Sequence, residues 1–195
     1  MIVGLGDWLN MMPNLFQDLP VVGVEDGSFQ KGLTEKAILA TVLFKGTWIK
    51  DVRIAKITVD GLDATEIFIK TLKGWKFKVV MLAGISFAGF NVINPFLVQE
   101  KFAKPVIVIT RTKPDNKAVK NALQRHFEDW KLRWKVFEKT ANFSQVSVLA
   151  GEPPLHFNVI GAGVKWASSI IRALSVCGRI PEPVRVARLI ARGLS

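Results

Sequence analysis

Residues 21–27 read VVGVEDG, an apolar run that ends in the acid Asp26 and the turn glycine Gly27. A short apolar run that is bounded by turn residues predicts a buried strand. Ligands of open α/β sheets collect beyond the carboxyl ends of the strands. The run therefore predicts a central strand that delivers Asp26 to a site.

More strands and helices are predicted on the C-terminal side of this run. In chain order they are strands at 36–44 and 52–59, a helix at 63–74, a strand at 77–82, a helix at 91–102 and a strand at 105–110. The first two flank a turn at 45–47 and extend an antiparallel meander. Asp63 is expected to cap the first helix, with Glu66 three residues later. The order βββαβαβ predicts an α/β fold whose mixed sheet has five or more strands and flanking helices.

The second half of the chain is predicted to be largely helical. From Asn116 to Phe137, apolar residues recur at helical spacing with basic residues between them, which predicts one amphipathic helix. Further helices are predicted at 164–176 and 184–194. Residues 1–19 show no clear period, and we assign them as an extension of a single domain that spans residues 1–195.

The composition is that of a globular protein. Of the 195 residues, 49% are hydrophobic and 22% are charged, which provides enough apolar surface for one core. Cys177 is the single cysteine, and no signal-peptide pattern opens the chain, so we expect a cytoplasmic protein. Residues 79–99 carry no charge, but glycine, asparagine and proline interrupt them. That stretch predicts a strand, a loop and a helix start, and no membrane partner is expected.

The positive charge lies in the second half of the chain. Residues 1–100 hold 10 basic and 10 acidic residues, whereas residues 101–195 hold 17 and 6, so the net charge there is 17 − 6 = +11. This asymmetry favours a polyanionic partner, DNA with RNA left open, although a solvated basic surface would give the same count. Arg111 and Arg185 are the candidates for phosphate contacts, because a guanidinium can bind two phosphate oxygens. The alternative for each is an ordinary salt bridge or a bond to a carbonyl.

Three carboxylates are candidates for catalysis and metal binding. Asp26 ends the first predicted strand, and Asp60 and Asp63 lie where the third strand meets the first helix. Metal-dependent cleavage of a phosphodiester needs several oxygen ligands that converge, and Mg²⁺ or Mn²⁺ would suit them. Each acid also has a structural explanation, as a turn residue or a helix cap. The histidines and the cysteine show no spacing typical of a zinc site.

Five sequence blocks, taken together, resemble an archaeal endonuclease V-like family catalogued as a domain of unknown function. They are residues 22–29, 58–65, 84–91, 111–115 and 181–187. The resemblance runs from about residue 20 to the end of the chain. It implies a ribonuclease H-like fold and metal-assisted cleavage of DNA near a deaminated base. It also implies that Asp26 is the first-strand aspartate and that Asp60 and Asp63 form the Asp-Gly-x-Asp block.

The chain departs from that pattern at two positions. Ala83 and Asn94 stand where the resemblance leads us to expect aspartates. A methyl group cannot ligate a metal, and a neutral amide ligates it only weakly. Two hypotheses follow: an endonuclease for DNA that carries uracil or hypoxanthine, impaired by Ala83, or a nucleic-acid-binding protein of the same fold without a working metal site. A third is a protein-interaction subunit that docks through its arginine-rich last helix.

Overall fold

A computed structural model describes residues 18–195 of the chain, so most of the predicted extension at 1–19 lies outside the described residues. The described strands are β1 (Pro20–Asp26), β2 (Lys36–Lys45), β3 (Trp48–Thr58), β4 (Val79–Leu82), β5 (Ser86–Phe87), β6 (Asn91–Val92), β7 (Val106–Thr110), β8 (Ser144–Val146) and β9 (Leu155–Ile160). The described helices are α1 (Ala64–Thr71), α2 (Pro95–Phe102), α3 (Asn116–His126), α4 (Trp130–Lys139), α5 (Val164–Leu174) and α6 (Glu182–Gly193).

Seven of the strands form one mixed sheet in the order β3-β2-β1-β4-β7-β9-β8. Strands β1, β4 and β7 are parallel neighbours, whereas the β3-β2-β1 meander and the β7-β9-β8 end are antiparallel. The predicted α/β class and the βββαβαβ order are confirmed, with the short β5-β6 hairpin inserted after β4. The parallel centre places three carboxyl ends side by side.

Both faces of the sheet are covered, which explains why β1 reads as a continuous apolar run. Successive side chains of a strand point to opposite faces. Val22 and Val24 therefore pack into one core, with residues of α1 to α4. Val21 packs into a second core, with residues of α5 and α6. Side chains at the end of β1 are divided between the two faces in the same way.

Helix α6 lies directly against β1. A Cβ atom placed on Gly23 would be 2.1 Å from the carbonyl oxygen of Pro183, in the first turn of that helix. Only glycine fits so close an approach of one backbone to another. Further along α6, Ala187 packs on Val42 and Phe44 of β2. Gly23 thus fixes how closely α6 covers the central strand.

The helical region after β7 differs from the prediction. The spacing from Asn116 to Phe137 predicts one helix, but the structure has two, α3 and α4. Phe127 adopts an extended conformation between them, with φ −137° and ψ 125°. Its ring packs edge-on against Phe90 at 5.6 Å between centroids. The break keeps both helices on one core while it changes their direction.

The segment around Asn94 also differs. Asn91 and Val92 form strand β6, and the helix begins only at Pro95. The Oδ1 atom of Asn94 accepts a hydrogen bond from the backbone N–H of Phe96 at 3.0 Å, so Asn94 caps α2. A helix cap is thus the structural role of the amide that replaces the expected aspartate.

The prediction that the Asp63 side chain caps α1 is wrong. Asp63 stands at the cap position, but its side chain makes no capping hydrogen bond. The first helical N–H, that of Ala64, donates to Oδ1 of Asn91 at 3.0 Å instead. The Asp63 carboxylate is occupied by Thr58 and Asn91.

Within residues 18–195, no helix is both long and apolar enough to cross a membrane.

Candidate functional site

A cavity of about 260 Å³ opens at the carboxyl ends of the three parallel strands. Strand β1 contributes Glu25, the end of β4 contributes Ala83, and the end of β7 contributes Thr110 and Arg111. Ile109, Ile180 and Val184 form its apolar wall, and Arg188 adds a further positive charge. The cavity therefore lies where ligands of open α/β sheets collect.

Glu25 and Ala83 are neighbours across the cavity floor. Val24 pairs with Leu82 in the parallel register, and the N–H of Ala83 donates to the carbonyl oxygen of Val24 at 3.3 Å. Adjacent strands are about 4.8 Å apart. A carboxylate at position 83 would therefore stand beside the Glu25 carboxyl, and in this chain a methyl group takes that place.

Burial raises the pKa of the Glu25 carboxyl to about 8, with the negative charge of Asp26 as the next cause. The positive charge of Arg188 acts in the opposite direction. At neutral pH Glu25 is therefore mostly a neutral acid, which can donate a hydrogen bond. A neutral carboxyl is a poor ligand for a hard divalent cation.

Arg188, a residue that the sequence analysis does not single out, supplies a positive charge to the cavity. Val184 and Arg188 are four residues apart on α6, so they share one face of the helix, and both line the cavity. The helical spacing from the apolar Val184 was the signal that could have identified it. Arg111, the predicted phosphate contact at the end of β7, lines the same cavity.

The other predicted phosphate contact, Arg185, has a partner within its own helix. Its Nε donates to Oε1 of Glu182 at 2.8 Å, and its Nη2 donates to Oε2 at 2.6 Å. These bonds hold the pKa of Glu182 below its ordinary value. The structure thus shows the salt-bridge alternative for Arg185, and its contact with phosphate stays a prediction.

The three predicted catalytic aspartates surround the β5-β6 hairpin. Asp26 accepts a hydrogen bond from the N–H of Ala88 at 2.6 Å, and Asp60 accepts one from the N–H of Phe90 at 2.8 Å. Asp63 accepts one from Nδ2 of Asn91 at 2.6 Å. Across residues 18–195, no group of three or more His, Cys, Asp or Glu side chains is arranged to hold a metal ion. Their role as metal ligands therefore stays a prediction.

Asn91 and Arg133 complete the support of this hairpin, and neither is among the predicted site residues. Asn91 is fully buried and donates from Nδ2 to the carbonyl oxygen of Thr58 at 2.7 Å as well as to Asp63. Burial alone would raise the pKa of Asp63, but the bonds from Asn91 and Thr58 hold it below its ordinary value. The hairpin is thus fixed by buried polar contacts.

Arg133 is a buried cation that joins α4 to the hairpin and to the loop before α1. Its Nη1 donates to the carbonyl oxygens of Gly61 and Phe90 at 2.9 and 2.7 Å. Its Nε donates to Asp129 at 2.8 Å, and its guanidinium lies 4.3 Å from the ring centroid of Phe127. No sequence pattern separates this arginine from the exposed basic residues around it.

We expect Arg133→Met to lower the free energy of unfolding by about 2 kcal/mol, because two partly buried carbonyl groups and Asp129 lose their donors. Urea unfolding at neutral pH measures this change. Lys135→Met is the matched control, since Lys135 is exposed on the same helix, and we expect it to change stability by under about 0.5 kcal/mol. Equal stability of the two variants would contradict this role of Arg133.

The chain is similar to known proteins both in sequence and in structure. A family model described as Endonuclease dU matches residues 17–195. A UPF0215 protein of Methanosarcina mazei is 36% identical over 183 residues, which are 91% of each chain. A protein of unknown function from Archaeoglobus fulgidus has a similar structure, with a TM-score of 0.79 and 27% identity over 90% of this chain and 98% of that one.

A more distant structural relative identifies the fold. Endonuclease V of Ciona intestinalis, solved with a DNA that contains inosine, is similar with a TM-score of 0.57 and 14% identity over 97% of each chain. The expected ribonuclease H-like fold and the resemblance to endonuclease V are therefore confirmed. The family match covers every described element, and the chain belongs to the Endonuclease dU family.

Proposed function

We propose that this chain binds DNA at the carboxyl edge of its sheet as an endonuclease V-like protein, and that its cleavage of DNA with deaminated bases is impaired. The observation that carries the proposal is the cavity at the ends of β1, β4 and β7. Two guanidinium groups, those of Arg111 and Arg188, and the methyl group of Ala83 line it. The family description, Endonuclease dU, and the inosine-containing DNA bound to the Ciona intestinalis enzyme support a deaminated base as the target.

The charge distribution supports a nucleic-acid partner. All of the net charge of +11 comes from residues 101–195, which include Arg111 and Arg188. On α3 and α4, the Nζ of Lys120 lies 5.1 Å from the ring centroid of Trp134, and the Nζ of Lys131 lies 5.8 Å from that of Trp130. Such a basic surface binds phosphate backbones with an affinity that falls as salt rises. RNA would satisfy the same surface.

The cavity does not fit a Mg²⁺ or Mn²⁺ site. Hard divalent cations need several oxygen ligands with negative charge, but Glu25 is the single acid in the lining and two arginines face it. The side chain at position 83 offers no oxygen. The Asp26 carboxylate is engaged by the N–H of Ala88. The lining therefore favours binding over metal-assisted cleavage.

An active endonuclease is the second candidate, and the family match favours it. Asp26, Asp60 and Asp63 are all present and all surround the β5-β6 hairpin, which packs in the first core, whereas the cavity is lined from the second. Under this proposal they are the catalytic carboxylates that would hold Mg²⁺ or Mn²⁺, after the hairpin hydrogen bonds have been exchanged for the ion. The two candidates differ in whether the parental chain cleaves DNA in a metal-dependent way.

Oligonucleotides that carry deoxyuridine or deoxyinosine, single- and double-stranded, provide the test. With Mn²⁺ or Mg²⁺ we expect salt-sensitive binding and little cleavage by the parental chain. We expect Ala83→Asp to raise metal-dependent cleavage by at least about tenfold, since it adds the missing carboxylate beside Glu25, a gain of about 1.4 kcal/mol in transition-state stabilisation.

Ala83→Asn is the matched control, because it adds similar volume without the charge. Efficient cleavage by the parental chain that Asp26→Ala abolishes would establish the second candidate and contradict the impaired site. Absence of binding to any oligonucleotide at low salt would overturn both candidates.

A further inference from the structure

Arg111 and Arg188 differ from the other arginines near the sheet in having no protein partner. Five arginines donate hydrogen bonds to protein oxygens: Arg53, Arg133, Arg172, Arg179 and Arg185. In the part of the chain that the structure describes, the guanidinium groups of Arg111 and Arg188 form neither a hydrogen bond nor a salt bridge. Arg125 and Arg192 share this property and, like Arg111, are exposed to solvent, but neither lines the cavity.

Arg188 is not fully exposed, and its position needs an explanation. It is half-buried on the face of α6 that lines the cavity, next to the apolar side chains of Val184 and Ile180. Removing a charge from water without a partner costs free energy. A ligand that supplies oxygen acceptors inside the cavity would offset that cost.

The sign of the charge in the cavity selects an anion. Two guanidinium groups and one acid, Glu25, line it, so the lining is net positive whether or not Glu25 is ionised. Arginine remains charged at any ordinary pH. An aspartate at position 83 would bring the lining closer to neutrality, but Ala83 contributes only a methyl group. The cavity therefore attracts an anion and repels a cation.

The size and the donors of the cavity narrow the class of anion. Its volume of about 260 Å³ lies just below that of pockets for drug-sized ligands, which begin at about 300 Å³. The Thr110 hydroxyl donates to the carbonyl oxygen of His156 at 3.5 Å, so the two guanidinium groups are the donors that the lining side chains offer to a ligand. The planar fork of arginine matches the oxygens of phosphate in two places, which a lysine cannot do.

We infer that this cavity is a phosphate site, in which Arg111 and Arg188 bind a phosphate group of the nucleic-acid backbone beside the methyl group of Ala83. The inference rests on the proposed binding of DNA and names the group that the site takes. The cavity at the strand ends would therefore bind an anion, whereas a metal site binds a cation. Arg188 is the residue that determines it.

Titration with inorganic phosphate, followed by calorimetry and by competition with a single-stranded oligothymidylate, tests the inference. We expect Arg188→Gln to weaken phosphate binding by at least about tenfold and to weaken oligothymidylate binding in parallel. Arg192→Gln, one turn further along α6, removes an equal charge outside the cavity and should change phosphate binding less than about twofold. Ala83→Asp should also weaken phosphate binding, and a Mn²⁺ titration should show that it tightens binding of the cation.

The outcomes separate this inference from the proposed function. If oligothymidylate binds and neither Arg188→Gln nor added phosphate affects it, the phosphate site is wrong and the DNA-binding proposal stands. If phosphate binds in an Arg188-dependent way and oligothymidylate does not compete, the backbone as the source of the phosphate is wrong, and so is DNA binding at this edge. Thermal unfolding is the control for folding. If Arg188→Gln unfolds at the same midpoint temperature as the parental chain, its loss of binding is not due to a loss of folding.

Discussion

Replacing Gly23 with alanine is expected to lower the free energy of unfolding by roughly 3 to 5 kcal/mol, at the upper end of what overpacking costs. The added Cβ would lie 2.1 Å from the carbonyl oxygen of Pro183 and 2.2 Å from its carbonyl carbon. Both contacts are with backbone, so no rotamer change can relieve them. Helix α6 would have to move away from β1 and would lose packing along its buried face.

The displacement should also reach the cavity. Val184 and Arg188 line it from α6, and Pro183 stands at the start of that helix. We therefore expect Gly23→Ala to weaken phosphate and oligonucleotide binding, even at temperatures where the variant remains folded. Urea unfolding measures the loss of stability, and the phosphate titration measures the loss of the site.

Gly163→Ala is the matched control for this prediction. A Cβ at Gly163 would have no atom within 4 Å, and its φ of −82° suits any residue. Because Gly163 is the cap residue of α5, where glycine is preferred over alanine, we expect a loss of at most about 1 kcal/mol. If both alanine variants were equally stable, the close packing of α6 on β1 would be wrong.

The fold could be predicted largely because its central strands are buried on both faces. Such strands read as uninterrupted apolar runs, and residues 21–24 and 105–109 are of this kind. Because both faces of such a strand are apolar, the sequence shows no alternation of polar and apolar residues. The face to which each side chain points can therefore not be predicted. Asp26 is therefore the expected site residue, although Glu25 lines the cavity and Asp26 points to the opposite core and binds Ala88.

The helices show the same limit in a different form. Spacing alone predicts that α3 and α4 are continuous, because Phe127 keeps the apolar period while its backbone is extended. On α6, Arg185 and Arg188 look equivalent in the sequence, yet Glu182 engages one and leaves the other for the cavity. Whether an arginine of a helix is engaged depends on the residues three or four positions away. The position of the arginine alone therefore does not predict it.

As the pH rises from about 5 to about 9, the stability advantage of Glu25→Gln over the parental chain is expected to grow by roughly 3 to 5 kcal/mol. The folded-state pKa of Glu25 is raised from 4.5 to about 8, first by burial and next by the charge of Asp26. Below the unfolded pKa both states are protonated, and the carboxyl contributes no penalty. As pH rises toward the folded pKa, the unfolded state ionises while the folded state stays protonated, so the parental chain loses stability. Glutamine has nearly the same shape as the neutral acid and does not ionise.

Urea unfolding across this pH range measures the difference between the two proteins, and the gap should widen from pH 5 upward and level off above about pH 8. Glu100→Gln is the control, because Glu100 is exposed on α2 and its replacement should not change the slope. Stability curves of the parental chain and Glu25→Gln that remain parallel would show that Glu25 ionises normally in the folded protein. In that case Glu25 would be an ionised carboxylate at neutral pH. Only the methyl group of Ala83 and the two arginines would then explain why the cavity fits a metal ion poorly. A gap that widens as expected would instead mean that a cation held by Glu25 and the aspartate of Ala83→Asp must displace the proton of Glu25, whose pKa the added carboxylate raises further.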